Sequence, residues 1–424
     1  MKIVSWIVYG CVSLSVAASA FGEEKQKPYP HYWMSIATSN QSMPGMSTEM
    51  GGIASMFGGK KMFGPNRELK LQLESPRVPK NAPNAEHKIP PEQKMGALLP
   101  LVTPVIEKAE HVSPERGEIP EKYEKPQARM LIYWGCGETI GKGQPKILDT
   151  ATMSPVDFGR AFAGRTPTRQ TPPSPRQGWT YSEWPNKDDR TEIPPDSSLV
   201  GSHVVKGNYI PDIPFALDKK RDFMAPVEFT MVQKNPDGAL KVEWKTIPTA
   251  IGYFATAIGH NQETGESIFW SASEVPETGF ALQDYLTPGD VARFIKDKVI
   301  LDPSITTCTI PPIFKEGQAG MLQFIAYGEE LNLVHPPKPK DPKMRWDIEW
   351  SAKVRLKSTA MLPLMVDESR SSEQKATPSK KAKRNSEPKE EALDDTRSDT
   401  NDSRSGSDSP AKEVGKGLRK LFGF

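Results

Sequence analysis

The chain has 424 residues and nearly balanced charge, with 55 Lys and Arg against 53 Asp and Glu, a formal net charge of +2. That balance excludes a strongly basic nucleic-acid-binding domain. A hydrophobic share of 36% and 41 prolines, about twice ordinary usage, mean that part of the chain does not pack into a core, while the rest suffices for roughly two domains.

Lys2 precedes an apolar run from Ile3 to Val16, followed by Ala17-Ala18-Ser19-Ala20 and the charged Glu23-Glu24-Lys25. A positive start, a short apolar core and an A-x-A site are the parts of a secretory signal peptide, placed at 1–22 with cleavage near Ala20 or Gly22. Cys11, after Val8-Tyr9-Gly10, is a poor match to a lipoprotein box. No other segment is apolar for long enough to span a bilayer as a helix. Export puts the mature chain in the periplasm or against the envelope. Only Cys136 and Cys308 then remain. In an oxidising compartment the pair can form a disulfide; the alternative is two separate buried thiols, and the sequence leaves both open.

A first β-rich domain is expected over 28–225. Its Met/Gly loop (34–64) carries Met43, Met46 and Met50 among glycines, with His31 upstream. Thioethers are soft ligands that suit Cu(I), so these methionines are a candidate copper site. The competing reading is a flexible loop that packs opportunistically. In Glu68–Glu74 every second residue is Leu, the period of a half-buried strand. Met130–Trp134 is a further strand. Gly135-Cys136-Gly137-Glu138-Thr139-Ile140-Gly141-Lys142 invites comparison with a phosphate loop, but the glycine spacing is wrong and Gly143-Gln144-Pro145 starts a helix poorly. A turn between two strands is expected instead. Ser154-Pro155-Val156-Asp157 caps a short helix. The Pro-rich stretch 166–195 reads as a long loop or linker. It presents Trp179 and Trp184, whose rings suit stacking on sugars or partner side chains, or plugging the sandwich.

A second domain is expected over 226–366. Val227–Val232 and Leu240–Trp244 flank Asn235-Pro236-Asp237-Gly238, a hairpin whose Pro and Gly set the turn. Tyr253–Ile258, Ser267–Ser271 and Met321–Tyr327 are strand candidates. Thr287-Pro288-Gly289-Asp290 caps a second helix. From Trp346 to Leu356 apolar and polar residues alternate, again a half-buried strand. Two local likenesses, 154–157 with 287–290 and 128–138 with 319–329, hint at duplication, but their offsets disagree. The fold class that follows is mainly β, two β-sandwich domains with few short helices.

From Asp367 to Ala411 there is no aromatic, Ile or Val residue, so a disordered tail is expected. It ends in a short basic amphipathic segment, 412–424. There Val414, Leu418, Leu421 and Phe422 fall at helical spacing beside Arg419 and Lys420, suiting a membrane surface or a partner groove. His87, His111, His203, His260 and His335 lack metal-ligand spacing and read as scattered surface or loop imidazoles. No G-x-S-x-G, H-E-x-x-H or C-x-x-C occurs.

Over 240–258 the chain resembles the second and third strands of a fibronectin-III or immunoglobulin-like module, with Trp244 as the buried Trp, Pro248 in the loop, then Tyr253. At HYW (31–33), the Met/Gly stretch, LKLQLES (69–75), MLIYWGCGE (130–138) and TTCTIPP (306–312) it resembles a set of uncharacterised, signal-peptide-bearing exported proteins of Gram-negative bacteria. The resemblance implies export and a shared architecture. Its pattern of one Cys in each segment, met by Cys136 and Cys308, favours the bridge. The function expected is a non-enzymatic periplasmic or envelope protein that binds through sandwich loops, with an envelope protein or membrane surface as partner, no nucleic acid and no cofactor. The alternatives are a copper-handling protein and an envelope hydrolase whose acids the sequence does not single out.

Overall fold

The computed structural model describes residues 26–41, 64–105, 129–261, 263–314 and 318–365. Of these, 42% are strand and 9% helix. The strands are β1 (His31–Gln41), β2 (Gly64–Ser75), β3 (Ala85–Lys88), β4 (Leu98–Leu101), β5 (Arg129–Trp134), β6 (Lys146–Asp149), β7 (Thr180–Trp184), β8 (Gly201–Gly207) and β9 (Ile213–Leu217), then β10 (Phe229–Lys234), β11 (Leu240–Trp244), β12 (Gly252–His260), β13 (Ser267–Ser271), β14 (Thr307–Ile310), β15 (Ala319–His335) and β16 (Trp350–Met365). Two helices, α1 (Pro155–Ala163) and α2 (Pro288–Lys296), start where expected. The Ser154 and Thr287 side chains accept the Asp157 and Asp290 backbone N–H groups, and a Pro opens each helix.

Nine strands form one sheet in the order β6-β5-β13-β12-β15-β16-β1-β2-β7. The alternation in the sequence assigns its two faces. Tyr32, Met34 and Ile36 on β1, Leu69, Leu71 and Leu73 on β2, and Ala352, Val354 and Leu356 on β16 all point to one face and are buried. Two smaller sheets cover that face. The four-stranded sheet β4-β3-β8-β9 packs over β1, where Phe215 and His87 meet the Tyr32 ring. The three-stranded sheet β10-β11-β14 packs over β12 and β15, where Trp244 meets the Tyr253 and Phe324 rings at 5.8 and 4.8 Å. The result is mainly β, with two sandwich-like units that share one large sheet and a continuous core.

Strands from both sides of the boundary expected at 225/226 enter that shared sheet, because β16 pairs in parallel with β1 over eleven residues, His31↔Ser351 to Gln41↔Met361. The helices lie on the opposite face. α1 brings Phe158 and Phe162 against Ile132 and Phe269, and α2 buries Val291 and Phe294 against Phe254, Ile325 and Tyr327.

The β10–β11 hairpin closes as its sequence dictates, with Gly238 at φ 90° and the Asn235 N–H donating to Ala239 O at 2.7 Å. β16 starts at Trp350 rather than Trp346; Trp346 and Ile348 lie in the preceding loop, where the Trp346 indole donates to Pro336 O. Cys136 and Cys308 are disulfide-bonded. The bridge fastens the loop after β5 to β14, and so the large sheet to the three-stranded one; beside it the Gly137 N–H donates to Thr309 O at 2.8 Å. Gly135–Lys142 forms turns that lead to strand β6, with Gly135 and Gly143 at positive φ.

The stretch 166–195 is not a free connection. It contains β7, which pairs with β2 at the sheet edge. Its first part lies as a strap along the helix-bearing side, held by side chains that satisfy its backbone. Glu277 accepts the Arg165 N–H, Asp290 accepts the Thr168 N–H, and Gln72 donates to Pro173 O.

Candidate binding face

The helices do not cover the β15-β16-β1-β2 part of the outer face; the strap and the loop carrying Tyr285 lie against it instead, burying Ser35, Ala37, Gln72 and Arg355. In-register pairing places His31 beside Ser351, Trp33 beside Lys353, Ser35 beside Arg355 and Ala37 beside Lys357. Across β2 the same rows continue with Glu74, Gln72, Lys70 and Glu68. A period of two thus writes aromatic rings and charges onto one face, while the intervening residues enter the core.

At one end of this face the strap meets the sheet. The Arg176 guanidinium lies 3.4 Å from the Trp179 ring centroid and pairs with Glu74 at 2.9 Å. The His31 ring stacks nearly parallel to Trp179, with centroids 6.4 Å apart, and Tyr29 tilts against His31. His31 Nδ1 is 2.9 Å from Ser351 Oγ. Burial, reinforced by the nearby Arg176 charge, lowers the His31 pKa, which favours the neutral imidazole. Below Trp179 opens a cleft of about 330 Å³ lined by Thr103, Pro104, Pro175, Arg176, Gln177, Trp179 and Tyr181. Tyr181 is fixed in it, donating to Glu183 Oε2 at 2.7 Å and accepting from Gln72 at 3.3 Å. Burial and the Glu183 hydrogen bond raise its pKa, so the phenol stays protonated. The cleft therefore offers a half-buried indole, a phenol, two proline faces, one guanidinium and the polar Thr103 and Gln177, a combination suited to binding.

Of the two tryptophans expected on this loop, only Trp179 faces the cleft. Trp184, at the end of β7, is buried, with its indole N–H on Asp189 at 2.9 Å. Pairing of β7 with β2 turns it inward, which composition alone did not show. Met43, Met46 and Met50 lie outside the described residues, as do Val414, Leu418, Arg419, Lys420, Leu421 and Phe422. Among the described residues no group of three or more His, Cys, Asp or Glu is placed to hold a metal ion.

The histidines are not all surface groups. His87 and His203 are buried on neighbouring strands β3 and β8 and meet between the sheets, Nε2 to Nδ1 at 3.0 Å. They are 116 residues apart in sequence, so no spacing motif could signal the pair.

No protein-family model and no curated protein matches the chain. Among solved structures it is similar to the Fcho1 Mu homology domain of Danio rerio with a bound Eps15 peptide, at 8% identity over 80% of this chain and 98% of that one, with a TM-score of 0.22. A score that low carries no argument about fold or function.

Proposed function

We propose that the protein is an exported, non-enzymatic binding protein of the periplasm or envelope, and that the Trp179 cleft receives a segment of an envelope protein. The observation that carries this is the grouping of Trp179, Tyr181 and Arg176 around one open cleft, with Pro104 and Pro175 as its apolar walls. Trp, Tyr and Arg are the residue types that dominate binding energy at protein interfaces, since each combines a large apolar area with a directed polar group. The Glu74 pair and the His31 stack hold Arg176 and Trp179 in place before any partner arrives, which lowers the ordering cost of binding. The disulfide supports an oxidising compartment, as do the signal-peptide pattern and the likeness to exported Gram-negative proteins. On this reading the 412–424 segment docks the tail to the envelope.

The test is site-specific photocrosslinking in intact envelopes from Gln177, on the cleft rim. A discrete crosslinked product that disappears in Trp179→Ala, with unchanged thermal stability, is expected. A product that persists in Trp179→Ala, or no product, removes the cleft from the function. Deletion of 412–424 is expected to move the protein from the membrane to the soluble periplasmic fraction.

A further inference from the structure

Further along the same face, Arg355 is a buried cation that no carboxylate among the described residues pairs with directly. Only 8% of its surface remains in contact with solvent. Its guanidinium carbon lies 4.9 Å from the Trp33 ring centroid and 4.2 Å from that of Tyr285. Its Nε–H donates to Ser35 Oγ at 2.8 Å. Lys353 and Lys357 stand two positions before and after it on β16, so both share its face. Their amines reach the same two rings, at 5.0 Å from Trp33 and 4.4 Å from Tyr285. Each lysine has its own carboxylate, Glu330 for Lys353 at 2.7 Å and Asp284 for Lys357 at 3.0 Å.

Arg355 has none. Among the described residues no carboxylate forms an ion pair with it, and the Ser35 bond uses one of its five N–H donors. Asp284 and Glu330, each taken up by a lysine, act on the guanidinium only from beyond pairing distance. Farther out on β2, Glu68 accepts the Ser39 hydroxyl at 2.7 Å. Burial pulls the Arg355 pKa down, while Asp284, Tyr285 and Glu330 act against that. Aromatic faces compensate a desolvated cation in part but leave its in-plane donors unused. A guanidinium held by two rings, with its fork unpaired and an amine on either side, has the donor set that oxyanions select.

We infer that Arg355, between Trp33 and Tyr285 and flanked by Lys353 and Lys357, is an oxyanion-binding site for a phosphate or carboxylate group. This does not rest on the Trp179 cleft. Ser35 fixes the fork through Nε, and the oxyanion accepts from the terminal Nη groups, supported by whichever lysine amine can turn from its own carboxylate. Arginine matches this task because its donors are planar and paired; a lysine at the same place supplies charge without the fork.

The experiment follows the Arg355 Nε–Hε resonance by NMR on the mature protein at constant ionic strength. Inorganic phosphate, acetate and vesicles of anionic or zwitterionic lipid are titrated separately. Saturable perturbation by phosphate or acetate is expected. Arg355→Lys should weaken binding, followed by tryptophan fluorescence, by about tenfold or more. Since Arg355 is part of the packed face, Lys353→Gln and Lys357→Gln serve as milder variants, each expected to weaken binding severalfold. Trp179→Ala is expected to leave it unchanged. Saturation by free phosphate or acetate identifies a site for a soluble group, whereas response to anionic vesicles alone identifies the same oxyanion chemistry on a lipid headgroup. A response that tracks only ionic strength, equal affinity in Arg355→Lys, or loss in Trp179→Ala overturns the assignment.

Discussion

The Tyr32 hydroxyl lies 2.8 Å from His87 Nδ1, across the gap between the large sheet and the four-stranded one. The contact continues inward. His87 Nε2 meets His203 Nδ1 at 3.0 Å, and His203 Nε2 meets Leu199 O at 2.7 Å. Because the carbonyl can only accept, His203 carries its proton on Nε2. His203 Nδ1 then accepts from His87 Nε2–H, and His87 Nδ1 accepts from the Tyr32 hydroxyl. With both imidazoles neutral, every polar atom along the chain is paired in this one direction.

That arrangement makes stability depend on pH. Burial, with the neighbouring His203, holds the His87 pKa well below the ordinary value of 6.5, and burial lowers that of His203. The unfolded chain therefore binds protons near pH 6.5 that the folded chain does not. Stability is full above about pH 6.5 and falls as pH drops toward the folded pKa values, by up to ~1.4 kcal/mol per pH unit for each histidine. His31, also lowered, acts in the same direction. Denaturant midpoints are expected to fall as pH drops from about 7.5 to about 5, across the imidazole range, and more steeply in the native protein than in the His87→Leu/His203→Leu variant. Equal slopes would show that the buried pair is not the source.

The disulfide predicts a second effect. Cys136 and Cys308 are 172 residues apart and link two sheets that otherwise meet through side-chain packing and a few backbone hydrogen bonds. Closing so long a loop restricts the unfolded chain, and replacing both cysteines with Ser is expected to cost ~2–5 kcal/mol. The check is a denaturation curve of the double variant against the oxidised protein. A thiol titration of denatured, unreduced protein should find no free thiol on Cys136 or Cys308.

Local patterns made most of the strands readable. The Leu alternation of β2, the Pro-Asp-Gly turn of β10–β11 and the two Ser/Thr-Pro helix starts each depend on residues close in sequence, and each stands where expected. What lay beyond reach was pairing at a distance. The parallel match of β1 with β16 spans 320 residues, and it is this match that places Trp33 beside Lys353 and Ser35 beside Arg355. Trp179 was readable as a binding residue from its aromatic loop; Arg355 was not, because the alternation marked it merely as the outward residue of a strand. The Pro-rich strap misled for a related reason. Prolines lack the N–H of a ladder strand, so the stretch looked unstructured, yet Glu277, Asp290 and Gln72 supply its partners.

Gly279 gives a test of packing on the helix-bearing face. Its φ is 79°, and a Cβ there would lie 2.5 Å from the Phe254 ring and 2.6 Å from Thr256 Cγ2. Phe254 is nearly fully buried against α2. Gly279→Ala combines left-handed strain of ~1–2 kcal/mol with overpacking of ~1–3 kcal/mol. A lowered unfolding midpoint is expected, with no loss at Gly265→Ala of the second kind, since nothing lies within 4 Å of that position.

The strap should open when its anchors lose their charge. Asp290 is buried and accepts from the Thr168 N–H at 2.8 Å and the Thr168 hydroxyl at 3.1 Å, while Arg293 pairs with the same carboxylate. Burial alone would raise its pKa, but the bonds from Arg293, Thr168 and Thr287 hold it below the ordinary carboxylate value. Glu277 accepts the Arg165 N–H at 3.0 Å. Asn at 290 cannot accept from Thr168 and pair with Arg293 as a carboxylate does, and Gln at 277 turns one acceptor into a donor. Asp290→Asn/Glu277→Gln is expected to speed tryptic cleavage after Arg165 and Arg169 while the large sheet stays folded by circular dichroism. Because Arg176 reaches Trp179 from the far end of this strap, the same variant should also weaken crosslinking from Gln177. Faster cleavage with undiminished crosslinking would mean that Glu74 alone holds Arg176 in the cleft.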